Sequence, residues 1–305
     1  MRQNLYQLIG ANKTKTFLFI VVISLFLGAI GYIVVNTFNW GIGGYVLFAL
    51  FIIVYNFVLY FTSDKLALAS TGSVPADPEE FQMLHNIVEE VSIAAGTPKP
   101  RVYITPSPSP NAFATGRNPQ HAAVAVTTGL MDILNREELQ GVIAHEMSHI
   151  RNYDILLMTV VAAIGGLIVL LRDFFLRSLW LGGGRRRDNE RRSGGNAGLI
   201  LLVVGLVLAI IAPIFVALIR AAISRQREYL ADASGAYITR YPQGLSHALA
   251  KLKSGYQPMA RASHSNAHLF ISSPFGKDRA DIAGLFDTHP PLDKRIERLN
   301  SLVLE

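Results

Sequence analysis

His145-Glu146-Met147-Ser148-His149 is the stretch that decides how the rest of this chain is read. It fits H-E-x-x-H, the spacing by which one helix presents two imidazoles to a zinc ion. On a helix, positions i and i+4 share one face a turn apart. His145 and His149 therefore aim ring nitrogens at a single point. Glu146 sits about 100° round the helix from His145. From there its carboxylate reaches a water beside the metal rather than the metal itself. Zinc acidifies such a water, and a neighbouring carboxylate takes the proton as the water attacks a peptide carbonyl.

The local sequence signs a helix clearly. Asn135 is a good N-cap, and Glu138 three residues later completes an N-x-x-E capping box. Leu139, Val142, Ile143, Met147 and Ile150 recur at helical spacing and form an apolar stripe. Gly141 interrupts the run at a cost of about 1 kcal/mol against Ala, which points to close packing at that position. Taken alone, five residues also describe a surface helix with two histidines, so the rest of the chain has to carry the reading further.

Half of the 305 residues are apolar and the mean hydropathy is +0.32. That excludes an ordinary soluble enzyme and points to membrane segments. Cysteine is absent, so any metal must sit on histidines and carboxylates. The net charge of +6 suggests nucleic acid at first sight. Residues 172–192, however, hold seven arginines and three acids, which account for +4 of it. The charge belongs to one loop, and no nucleic-acid partner is expected.

Residues 1–15 are polar and carry Arg2, Lys13 and Lys15, and read as a cytoplasmic N-terminus. Residues 16–35 are apolar and uncharged, about 30 Å as a helix, and make an uncleaved anchor. A second apolar run covers 42–62, so 16–62 reads as a transmembrane helical hairpin with both polar ends on one side. Residues 63–154 form the first half of a catalytic domain. It holds an amphipathic helix over 78–95, short strands over 101–104, 111–115 and 122–128, and the His145–His149 helix. A flexible flap over the cleft is expected at 254–287. Residues 155–219 form a second hydrophobic hairpin around an Arg/Gly-rich loop, 172–198, and residues 220–305 complete the catalytic half. The fold class is α+β: a mainly helical integral membrane protein with a zincin-like unit of metal helix and small sheet.

Past the second hairpin come Glu228 and Asp232, four apart on a helical pattern and so on one face. A catalytic zinc held by two histidines commonly takes one carboxylate as third ligand. Glu228 suits that place, and Asp232 suits a hydrogen bond to a ligand histidine. The same pair also fits a solvated face beside Arg225 and Arg227.

With these residues in hand, the chain resembles the HtpX-type membrane-bound zinc metalloproteases of prokaryotes, relatives of the CAAX prenyl proteases. The likeness runs over nearly the whole chain. It includes Asn111-Ala112-Phe113-Ala114-Thr115-Gly116, residues 122–130, 145–149 and 228–232, and Thr288-His289-Pro290-Pro291 with Arg295. The resemblance implies one Zn2+ on His145, His149 and Glu228, with Glu146 as general base. It implies that His289 and Arg295 stabilise the oxyanion, and that Asn111, Ala112, Phe113, Ala114 and Thr115 form an edge strand that binds substrate backbone. It further implies membrane-protein and unfolded polypeptide substrates, quality control of damaged proteins, and a multi-pass place in the cell's inner membrane with the site on the cytoplasmic side. The Arg-rich stretch at 185–192 corresponds to no role in that pattern.

Two other readings compete. One is processing of prenylated C-termini, for which four apolar runs are few. The other is a non-catalytic membrane scaffold with a structural metal, which would ordinarily show four protein ligands. Topology sets two arguments against each other. If runs 155–171 and 199–219 cross the bilayer, seven arginines lie outside, which the positive-inside rule disfavours for a short loop. A hairpin that dips without crossing keeps them inside, and the reading leans that way.

Overall fold

The computed structural model describes residues 5–161, 164, 205, 225–255, 257–262, 266–275 and 290–302. Most of the run 155–171, the loop 172–198 and nearly all of the run 199–219 lie outside the described residues, as does His289.

The chain opens with two long antiparallel helices, α1 (Leu5–Phe38) and α2 (Gly41–Thr71). They reverse through Asn39 and Gly41, both left-handed at φ 53° and 61°. Each is long and apolar enough to cross a membrane. Their large apolar side chains point outwards: Leu25 is 71 % exposed, Ile42 84 % and Ile53 67 %. That is the reverse of a soluble core helix and what a lipid-facing helix shows. Both helices outrun the expected spans of 16–35 and 42–62, because their extra turns have protein to pack on. Asn12 and Thr16 are buried at the start of α1. Past residue 62, Asp64 pairs with Arg101 at 2.5 Å, and Ala67 and Leu68 pack beside Phe113. Gly72, left-handed, caps α2 with its N–H on the carbonyls of Leu68 and Ala69.

A four-stranded sheet follows, built from β1 (Val74–Pro75), β2 (Arg101–Thr105), β3 (Ala112–Gly116) and β4 (Ala122–Thr127) in the order β1-β2-β4-β3. β2 runs parallel to β4, while β3 is antiparallel to β4 in the register Ala112↔Val126 to Gly116↔Ala122. β1, with its proline, gave no strand signal in the sequence. Helix α3 (Gln82–Ala95) starts four residues later than residue 78, because Asp77 Oδ1 accepts the N–H groups of Glu79 and Glu80 and holds a turn there instead. A short α4 (Thr128–Ile133), capped by Thr127, leads into α5 (Arg136–Arg151). Further along the chain come α6 (Arg225–Thr239), α7 (Pro242–Ser254) and α8 (Leu292–Asn300).

α5 is the axis of the domain. α3, α6 and α7 pack around it, and β3 lies alongside. Its stripe of Leu139, Val142, Ile143, Met147 and Ile150 is completely buried, together with Leu84, Ile87, Val124, Val126 and Leu249. Burial of side chains this size is worth about 1.5–3 kcal/mol each. Gly141 has its reason here: a Cβ on it would lie 2.5 Å from the backbone nitrogen of Leu245 on α7. The N-cap is the expected capping box, with both reciprocal hydrogen bonds between Asn135 and Glu138 at 2.9 Å.

The flap expected over 254–287 takes a different form where it is described. Leu269, Phe270 and Ile271 are buried, and Phe270 bridges Phe113 of β3 in antiparallel sense. These apolar residues lie along the edge of β3 with their side chains buried, which the polar run around them hides in the sequence.

Candidate metal centre

His145 and His149 face the same point from consecutive turns of α5. Their Nε2 atoms are 3.2 Å apart. Two nitrogens about 2.0–2.1 Å from one ion at a near-tetrahedral angle would be separated by roughly 3.3 Å. Glu228 completes the group from α6, with Oε2 3.7 Å from His145 Nε2 and Oε1 3.7 Å from His149 Nε2. All three are buried, and one donor atom from each lies within 4.8 Å of the others. The donor set fits a divalent metal: two imidazoles and one carboxylate, all buried and converging on one point.

α6 reaches this position because Gly235 lets it lie close on α5. A Cβ at Gly235 would be 3.0 Å from the backbone nitrogen of His145. That approach, with Ala231 and Ala236 also buried, puts Glu228 and Asp232 on the histidine face.

Each histidine is held from behind at Nδ1. Asp232 Oδ1 lies 3.0 Å from His145 Nδ1, as the spacing of Glu228 and Asp232 predicts. Asp154 Oδ2 lies 3.0 Å from His149 Nδ1. A carboxylate at Nδ1 keeps the proton there and leaves Nε2 as the metal-facing atom. Asp154 was missed by the sequence reading. The one available signal was a lone carboxylate five residues after His149, at the head of an apolar run.

Arg295 is fully buried on α8 and grips Asp232 bidentately, Nε to Oδ2 at 2.9 Å and Nη2 to Oδ1 at 2.7 Å. Its Nη1 donates to the carbonyl of Ile271 at 2.9 Å and lies 3.9 Å from Glu228 Oε2. The geometry thus ties Arg295 first to Asp232, behind His145. His289 is outside the described residues.

Glu146 is buried beside the cluster, and the backbone N–H of Ala114 bonds to its carboxylate. Burial pushes the Glu146 carboxyl up to about 7, with the carboxylate of Glu228 adding to the rise and the charges of His149 and Arg295 opposing it. Burial pushes His145 down to about 4, and the hydrogen bond to Asp232 only partly offsets it. His149 is buried as deeply, which opposes charge, yet the hydrogen bond it donates to Asp154 and the charge of Glu228 raise it to about 9. Burial also works against the charge on Asp232, but Arg295 and the bond to His145 hold its carboxyl below the usual range.

Residues 111–115 lie against this centre, all buried. β3 is the outermost strand of the sheet, as expected, but part of its outer edge is taken. Ile271 N–H donates to Ala112 O at 3.0 Å, and the Asn111 side chain donates to Ser272 O at 3.0 Å and accepts from Ser272 N at 3.3 Å. Thr115 bonds Thr159 on the helix beyond Asp154 at 2.9 Å.

Residues 78–303 match the family model described as "Peptidase family M48". The chain belongs to peptidase family M48. It is similar along almost all its length to proteins named Protease HtpX homolog. That of Caldanaerobacter subterraneus subsp. tengcongensis is 60% identical over 303 residues, 99% of each chain. That of Dictyoglomus thermophilum is 46% identical, covering 97% of this chain and 94% of the relative. That of Pyrococcus furiosus is 45% identical, covering 95% and 96%. The fold is shared with the crystal structure of S. mikatae Ste24p at a TM-score of 0.51 and 18% identity, over 97% of this chain and 67% of that one. This M48 chain is therefore an HtpX-type metallopeptidase, and the cluster of His145, His149 and Glu228 could hold its metal.

Proposed function

We propose that this peptidase is a zinc-dependent endopeptidase of the cell's inner membrane that cleaves damaged or misfolded membrane proteins on the cytoplasmic side. The observation that carries the chemistry is the convergence of His145 Nε2, His149 Nε2 and Glu228 on one point, with Glu146 beside it and outside the donor set. Bound there, Zn2+ supplies Lewis acidity and lowers the pKa of a coordinated water.

The chain's own groups do the rest. Glu146, oriented by the Ala114 N–H, takes a proton from the attacking water and delivers it to the departing amine nitrogen. Asp232 and Asp154 hold the two imidazoles in the productive tautomer. Arg295 neutralises Asp232 and places positive charge 3.9 Å from Glu228, where, with His289, it favours an oxyanion. A substrate strand adds to β3 in antiparallel sense, in the place that residues 269–272 take along Ala112 and Phe113. Recognition through backbone hydrogen bonds is tolerant of sequence, as suits misfolded substrates.

The lengths and apolar composition of α1 and α2 support the membrane placement. The start of α1 and the end of α2 both pack against the catalytic unit, so the site lies on the side of the N-terminus. By the positive-inside rule, Lys13 and Lys15 favour the cytoplasm for that side. The test is purification in detergent with and without chelator, followed by an assay on an unfolded model protein and on a prenylated C-terminal peptide. Cleavage of the first, lost on chelation and restored by zinc, is expected. Cleavage of the peptide alone would replace this reading with C-terminal processing.

A further inference from the structure

Asp154 is held by a buried network that reaches into the membrane helix. Helix α5 ends at Asn152, and the chain turns through Tyr153, whose backbone is left-handed at φ 60°. For a residue with an aromatic side chain that conformation costs about 1 kcal/mol or more and needs support from its surroundings. The support comes from α1. Asn12 Nδ2 donates to the carbonyl of Asn152 at 3.1 Å and to Asp154 Oδ1 at 2.6 Å. The two hydrogens of one amide thus fix both sides of the turn. Asn12 Oδ1 accepts from Arg227 Nη1 at 3.3 Å, on the α6 helix one residue before Glu228. Lys13 Nζ stands over the Tyr153 ring at 4.5 Å. Asn12, Asn152, Asp154 and Arg227 are each at most 8 % exposed.

We propose that Asn12 is a positioning residue for the metal ligand His149. It acts through Asp154, so that the first membrane helix is part of the metal site's support. Asp154 has two oxygens with different partners. Oδ2 faces His149, and Oδ1 faces Asn12 at 2.6 Å and Arg227 at 3.5 Å. The short bond is the one from Asn12. Without it, Oδ1 keeps among the described residues only the long contact from Arg227, the turn loses its second tie at Asn152 O, and the carboxylate is free to swing away from His149. Among the described residues Asn12 reaches no ligand of the proposed metal directly, and its link to His149 is this one carboxylate. The membrane helix and the catalytic unit are then energetically coupled: displacing α1 loosens the metal.

The inference rests on the metal reading above, and the experiment separates the two. Full-length protein in detergent micelles is titrated with zinc against a chromophoric chelator of known affinity. Stoichiometric zinc on the wild type is expected, and its absence removes the metal reading itself. Given wild-type binding, Asn12→Ala is expected to weaken zinc affinity about 10–100-fold, the range for partners that orient a ligand. Asn12→Asp, which keeps the shape but loses both donated hydrogens, weakens it at least as much and serves where Ala does not fold. Asn56→Ala removes the Asn56 to Ser24 bond between α2 and α1, at 2.9 Å, and is the control. It lowers thermal stability and leaves zinc affinity unchanged. The double variant of Asn12→Ala with Asp154→Ala binds zinc no more weakly than Asp154→Ala alone. Wild-type affinity in a folded Asn12 variant, or losses that multiply in the double variant, would overturn the proposal.

Discussion

Asp154 Oδ2 stands 3.0 Å from His149 Nδ1, across the turn that ends the metal-binding helix. Asp232 stands at the same distance from His145 Nδ1. The two ligand imidazoles are thus braced by carboxylates from different segments, one next in sequence and one from α6. Removing either brace is expected to weaken zinc binding about 10–100-fold, whereas His145→Ala, His149→Ala and Glu228→Ala each abolish stoichiometric zinc. Metal analysis of purified variants after dialysis checks this. Zinc retained at full affinity in Glu228→Ala would mean that the third ligand lies elsewhere.

Glu146 is beside the metal point but not among its donors. Glu146→Gln is therefore expected to keep zinc and lose proteolysis, since an amide cannot accept the proton. Burial raises this carboxyl to about 7, and a bound dication pulls it back down. The base works only when ionised, so the acid limb of kcat/KM falls at or below pH 7, with activity rising as pH increases through it. Near-wild-type turnover by the glutamine variant, or its loss of zinc, would sink the assignment.

Zinc uptake itself depends on pH. His149, raised to about 9, holds a proton at neutral pH in the metal-free protein, while His145, lowered to about 4, does not. A metal ligand must be deprotonated, so binding near pH 8 releases one proton from His149, joined near pH 7 by part of one from Glu146. The expected affinity rises about tenfold per pH unit towards pH 9 and flattens above it. Calorimetry in buffers of different ionisation enthalpy counts the proton. An affinity independent of pH between 6.5 and 8.5 would contradict the raised value.

How much of this was open to the sequence follows from how local each signal is. The α5 capping box, the stripe and the two histidines lie within 16 residues of one helix, and helical geometry alone places them. Glu228 and Asp232 share a face for the same reason. Their arrival at His145 depends on α6 packing through Gly235; the residue pattern fits that place and a solvated face alike, and the family pattern favours the first. Asn12 and Asp154 lie 142 residues apart, joined by a hydrogen bond that no periodicity announces. Leu269, Phe270 and Ile271 sit among Ser, Gly and Pro, so composition alone points to a flap there. Burial against β3 overrode composition.

Asn111 distinguishes two uses of the edge strand. Its amide holds Ser272 through both backbone groups, and so holds residues 269–272 along β3. Asn111→Ala leaves those buried groups unpaired, a cost of about 1–3 kcal/mol that a thermal melt detects. Loosening the segment opens the edge, so KM for an unfolded protein substrate is expected to fall. A rise in KM would show that Asn111 binds substrate directly.

The last prediction concerns the membrane. α1 starts and α2 ends beside the catalytic unit, and their connecting turn at Asn39 and Trp40 is at the far end of the hairpin. If the hairpin crosses the bilayer with the N-terminal lysines inside, Trp40 lies outside and the exposed Glu137, at the start of α5, lies in the cytoplasm. The chain has no cysteine, so single cysteines report without background. Trp40→Cys is expected to react with a membrane-impermeant thiol reagent on intact cells, and Glu137→Cys only after lysis. The reverse pattern would turn the protein over and move the site to the outer face. Ser193→Cys then decides the Arg-rich loop. His149 and Glu228 meet at one metal, so the segments flanking 155–219 return to the same side whether or not the runs between them cross. Labelling of Ser193→Cys only after lysis fits a hairpin that dips into the membrane and keeps its arginines inside. Labelling on intact cells would show that both runs span, and that the N-terminal hairpin's orientation carries the arginines across against the charge rule.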